Sequence, residues 1–85
     1  MKLSKIQIIN FAEYCFHKYL VEGISELVTY KQLYDLWIPK QLNDNGLYEE
    51  SVAMDFAEYC MEQYLDEGVS PEKNPPGVLF NDFDI

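Results

Sequence analysis

His17 is the only histidine in this 85-residue chain and follows Glu13 by one helical turn, a spacing at which a carboxylate orients an imidazole for general-base work. No nucleophile accompanies the pair, and when the segment around His17 recurs later in the chain Glu62 stands in its place. Cys15 and Cys60 lack the CxxC or Cys/His spacing of redox and zinc sites, and read either as buried reduced thiols or as a disulfide formed across two packed copies. The loop Asn43, Asp44, Asn45, Gly46 looks like a calcium loop at first sight. Aligned on its glycine, it puts Gln41 at the first ligand position and Val52 where a bidentate glutamate must stand, which excludes an EF-hand. Phosphate-cradling glycine loops and the Glu-x-x-His pattern of carboxylate-bridged metal bundles are absent, so no catalytic, metal or cofactor residue is expected. What remains is a row of carboxylates around one aromatic ring: Asp55, Glu58, Tyr59, Glu62, Asp66 and Glu67 share a side when placed at helical steps. The chemistry of such a row is electrostatic recognition.

The elements that hold this row follow from a repeat. Ile9 to Ser25 recurs 45 residues later as Met54 to Ser70, keeping Phe11/Phe56, Ala12/Ala57, Tyr14/Tyr59, Cys15/Cys60, Tyr19/Tyr64 and Gly23/Gly68 in register. In each copy the apolar residues fill an arc of about 180°, wide enough to meet a core on two sides. In the first that arc is Ile8, Ile9, Phe11, Ala12, Cys15, Phe16, Tyr19 and Leu20. Ser4 with Gln7, and Thr29 with Gln32, are capping boxes opening a first helix and a short second one around Leu33, Leu36 and Trp37. A third helix is expected from Leu47 or Tyr48, with Glu49 and Glu50 favoured by the dipole of its first turn. Gly23 and Gly68 supply the left-handed residues that end the long helices. The run Asn74, Pro75, Pro76, Gly77 is expected to exclude regular structure. Residues 78–85 then form a tail whose Val78, Leu79, Phe80, Phe83 and Ile85 either fold back over the helices or bind a partner, with Phe80, Asp82, Phe83 and Asp84 as the secondary contact candidates. The predicted fold is all-α: a small compact bundle of three or four helices in residues 1–77, built on a duplicated helix, with an extended C-terminal tail.

Charge separates the two copies. Residues 1–40 carry +1 and residues 41–85 carry -10 of the net -9, and the chain has no arginine. Relative to the first copy, Asn10 becomes Asp55, His17 becomes Glu62, Lys18 becomes Gln63 and Val21 becomes Asp66. Like charges at i,i+4 cost roughly 0.2–0.5 kcal/mol per pair in an isolated helix, so Glu58/Glu62 and Glu62/Asp66 are not there for stability. Direct nucleic-acid binding needs clustered Lys or Arg, whereas a basic protein surface is the natural complement of this face. The outward Tyr59 would anchor that contact. No segment approaches the roughly 20 apolar residues of a bilayer span, and a soluble, cytoplasmic protein is expected. In size, acidity and lack of a catalytic motif the chain resembles small phage-encoded inhibitors of host defence, of the anti-CRISPR and anti-restriction kind. The resemblance lies in overall character and carries over no functional residue. It implies stoichiometric inhibition, in the host-cell cytoplasm, of a nucleic-acid-handling effector such as a CRISPR nuclease, the carboxylate row standing in for phosphates. The alternative is a structural module whose apolar arcs and tail find cover in a homodimer.

Overall fold

A computed structural model describes residues 2–25, 27–38 and 46–83. Helix α1, Lys5–Phe16, starts at the expected Ser4 capping box, with the Ser4 amide donating to Gln7 Oε1 at 2.9 Å. It continues into a wide π turn over His17–Val21. Helix α2, Tyr30–Trp37, starts at the Thr29 capping box. Helix α3 is Glu50–Leu65, and a short α4, Pro76–Leu79, runs on into a 3-10 turn at Phe80–Asp82. The all-α bundle is therefore observed, with four helices among the described residues.

Helices α1 and α3 form the centre and run in the same direction. At one end Leu3 and Tyr48 exchange both backbone hydrogen bonds, at 2.8 and 3.0 Å, and Lys2 pairs with Glu49 at 2.8 Å. At the other end Phe16 packs edge-on against Tyr64, with ring centroids 5.4 Å apart. Leu3 and Tyr48 are themselves equivalent in the 45-residue repeat, so this reciprocal pair sits on a local two-fold axis lying along the helix pair. Ile8/Ala53, Phe11/Phe56, Ala12/Ala57 and Cys15/Cys60 are all buried to 1% exposure or less along the seam. Both cysteines are free thiols, which decides against the disulfide.

The duplication extends well beyond the segment legible in the sequence. In the first half Phe11 stacks on Tyr14 (6.4 Å, 19°) and meets Tyr34 (5.4 Å, 83°) and Trp37 (5.2 Å, 53°). In the second half Phe56 stacks on Tyr59 (6.3 Å, 21°) and meets Phe80 (5.0 Å, 72°) and Phe83 (5.0 Å, 60°). The Tyr19 hydroxyl donates to the Val28 carbonyl, and its counterpart Tyr64 donates to the Asn74 carbonyl at 2.8 Å, pinning each loop to its helix. The second loop is one residue longer, so the offset rises from 45 to 46 and α4 with its 3-10 turn is the second copy of α2. The molecule is one αα-hairpin written twice and packed on itself.

Four expectations change. The proline run does not exclude regular structure: Pro76 occupies the first helical position, where its missing N–H has no partner to lose and its fixed φ suits a helix. The segment after Gly77 is consequently a folded-back helix, with Leu79 and Phe80 in the core, rather than an extended tail. Helix α3 begins at Glu50, not Leu47 or Tyr48, because Tyr48 is held extended against Leu3. Leu20 leaves the apolar arc and is 39% exposed, as is its counterpart Leu65 at 57%. Both lie past the last core contact, at the mouth of a cavity. On α2 Leu33 and Trp37 are buried and Leu36 is exposed, since only one side of α2 meets the helix pair. Of the loop 43–46 only Gly46 is among the described residues. A Cβ there would stand 1.6 Å from the Leu3 carbonyl carbon and 2.1 Å from the Ser4 nitrogen, so the strands entering the two-fold axis cross at a point that only glycine permits.

Both long helices close in the same way. Gly23 and Gly68 have φ of +73° and +70°. The amides of Glu22 and Glu67 donate five residues back, to His17 and Glu62, and those of Ile24 and Val69 donate six back, to Lys18 and Gln63. This wide closure leaves the last side chains of each helix without the next turn above them.

Candidate acidic interface

Asp55, Glu58, Glu62, Asp66 and Glu67 are all exposed on or just beyond α3, on the side away from α1. None forms a salt bridge among the described residues. On the same face of the first half Glu13 is exposed without an ion pair among the described residues, and Glu22 is paired. Glu22, the counterpart of Glu67, takes Lys18 Nζ at 3.2 Å and His17 Nδ1 at 3.3 Å. The hydrogen bonds from Lys18 and His17 hold the Glu22 carboxyl below the usual carboxylate range. In the second half Lys18 and His17 are replaced by Gln63 and Glu62, so a negative charge is added where the first half has none and the balancing ammonium is lost. Asp66 and Glu67 further sit at the negative end of the α3 dipole.

Tyr59 is placed differently from the sequence reading. It is half-buried, stacked on Phe56 and 5.3 Å from Phe83. Its ring covers the seam between α3 and the C-terminal turn, so it borders the acidic row and is not a free anchor. Phe80, a secondary contact candidate, is buried against Phe56, Tyr48 and the Lys5 ammonium, which stands 5.3 Å from its ring centre. Phe83 is half-buried in the same cluster, whereas Asp82 is exposed. Asp84 lies outside the described residues. The aromatics were misread because a lone apolar tail cannot be told from an unrecognised repeat. The signal was present in the shared pattern Leu, aromatic, two residues, aromatic, at Leu33-Tyr34-x-x-Trp37 and Leu79-Phe80-x-x-Phe83.

Sequence reasoning also missed a cavity of about 450 Å³ beside the acidic row, between the first loop and α3. Tyr19, Ile24, Val28 and Tyr30 form one side, and Met61 and Leu65 the other. Burial raises the phenol of Tyr30 above its ordinary range, and the nearby charges of Glu58 and Glu62 add to that rise. His17 remains on the exposed first-half face with Glu22 and Lys18. Burial pushes the thiols of both Cys15 and Cys60 up to about 12, which makes them poor nucleophiles. Among the described residues no group of three or more His, Cys, Asp or Glu is placed to hold a metal ion, and no helix is long and apolar enough to cross a membrane. No protein-family model matches this chain, and no curated protein or solved structure was found similar to it.

Proposed function

We propose that the chain is a non-enzymatic binding module that docks the acidic face of α3 on a Lys/Arg-rich protein surface. The observation that carries this reading is the contrast between the two equivalent faces: on the first, one of two carboxylates, Glu22, is paired, and on the second five exposed carboxylates have no ion pair among the described residues. Successive carboxylates on this face are about 5–6 Å apart at helical spacing, close to the interval of phosphates along a strand. The partner is therefore a basic groove that otherwise receives nucleic acid, and the action is stoichiometric inhibition by occupying it. The resemblance to phage anti-defence inhibitors, with a CRISPR effector nuclease as target, agrees with that mode.

Immobilised protein challenged with an extract of its source cell, and separately with purified DNA and RNA, tests the proposal. A basic protein released by raised salt is the expected capture, and DNA competing with this chain for that protein is the expected mode. The variant Glu58→Lys/Glu62→Lys/Asp66→Lys loses the capture with its helicity intact. Capture unchanged by this reversal rejects the proposal.

A further inference from the structure

The apolar cavity and the carboxylate row occupy adjoining strips of α3, so we propose that they form a single two-part site for a cationic amphipathic helix, whose apolar side chains enter the cavity while its Lys or Arg residues meet Glu58 and Glu62. This rests on the acidic-face reading and names the kind of segment that face receives. The local two-fold axis lets the geometry be compared. Its second cavity, about 340 Å³, has Phe16, Tyr64, Pro75 and Pro76 where the first has Met61, Tyr19, Thr29 and Tyr30. That second cavity also has Glu13 and His17 in its wall. Their counterparts in the repeat are Glu58 and Glu62. Glu58 and Glu62 do not line the larger cavity themselves; each stands three residues before a lining residue of α3, Met61 and Leu65, on the adjoining strip of that helix.

The lining explains why the occupant is amphipathic. Leu20 and Leu65, equivalent in the repeat, remain exposed at the mouth, at 39% and 57%. An apolar strip therefore runs out of the cavity onto the surface, the shape that takes residues spaced i, i+3/i+4 on a helix. Charge complementarity fixes the sign of the polar flank. Glu58, Glu62 and Asp66 run along one side of the strip, while Lys31, next in the chain to the lining Tyr30, is held by Asp35 at 2.7 Å and Lys18 by Glu22 at 3.2 Å. A helix with an acidic flank would be repelled there, as would a second copy of this chain presenting its own α3 face.

The probe is a fluorescein-labelled 16-residue Lys/Leu amphipathic helix with one central Trp on its apolar side, followed by anisotropy from 50 to 500 mM salt. Controls replace that Trp by Gln or every Lys by Glu. Leu20→Ser/Leu65→Ser removes the mouth without altering charge, and Glu58→Lys/Glu62→Lys alters charge without altering the mouth; circular dichroism checks that both fold. Support consists of a tenfold or greater rise in Kd for the serine variant at every salt concentration, a similar rise for the Gln control peptide, and loss of salt dependence for the lysine variant. If only the lysine variant weakens binding, the two-part site is overturned and the acidic-face reading stands. Equal binding of the Glu peptide overturns both. Self-association that the serine variant abolishes assigns the strip to a second copy and overturns the cationic helix.

Discussion

Replacing Phe80 by alanine tests whether the chain after Gly77 is part of the fold. Phe80 is 8% exposed and packs on Phe56 at 5.0 Å, on Tyr48 at 6.0 Å and under Lys5 at 5.3 Å. Truncating a buried Phe to Ala costs about 3–5 kcal/mol, which includes the cavity left behind. At about 0.05–0.15 kcal/mol per residue a domain of 85 residues has only ~4–13 kcal/mol in total. The melting temperature should fall by about 12–40 °C, at about 4–8 °C per kcal/mol for a domain this small. Urea titration should show the midpoint moving down at constant slope, which distinguishes lost packing from a changed unfolded state. Its counterpart Tyr34→Ala should lose a similar amount, because it holds the same place against Phe11. Val78→Ala, at a side chain 43% exposed, should stay within about 0.5 kcal/mol of the parent. A loss below about 1 kcal/mol for Phe80→Ala, with Tyr34→Ala at its expected value, would mean that α4 does not dock and that the repeat ends at Ser70.

Gly46→Ala should destabilise by about 2–4 kcal/mol, since the new Cβ meets the Leu3 backbone and opens the Leu3–Tyr48 pair; a midpoint within error of the parent in urea would rule out that crossing. Glu62→Lys should raise stability by about 0.8–2 kcal/mol by turning two repulsive i,i+4 pairs into attractive ones, so a stabler protein with weaker capture marks a face kept for binding; thermal melts at 50 mM salt read this. Cys15 and Cys60 keep their protons to about pH 12 when folded, against 9.0 for the ordinary thiol. Above pH 9 the unfolded chain sheds those protons first, and stability falls by about 1.4 kcal/mol per pH unit per thiol. Cys15→Ala/Cys60→Ala should flatten the stability profile between pH 9 and 10, and an unchanged slope there would refute the burial of these thiols. Native protein at pH 8 should also react with a thiol reagent only as fast as it opens.

The periodicity of Phe11, Cys15 and Tyr19, with its repetition at Phe56, Cys60 and Tyr64, was enough to predict two long amphipathic helices. Short-range rules located their ends, because a capping box or a left-handed glycine is satisfied within four residues of itself. The acidic row was legible for the same reason: side chains on one helix face are set by helical spacing alone. The second α2-like helix was harder to see, since a one-residue insertion and the change from Tyr34 and Trp37 to Phe80 and Phe83 break the register just where the proline run argues for irregular chain. The position of Tyr59 was missed for a related reason. A helical wheel gives a direction, and what lies in that direction depends on residues 24 positions further along.

The sequence by itself determined the first three helices, their polarity and which copy carries the charge, all properties of neighbours within a few residues. Only the tertiary structure decided that equivalent positions meet across a two-fold axis and that the proline segment becomes a docked helix. It also decided that an apolar cavity opens beside the carboxylates. Each of these depends on contacts between residues far apart in the chain, whose packing no local propensity encodes.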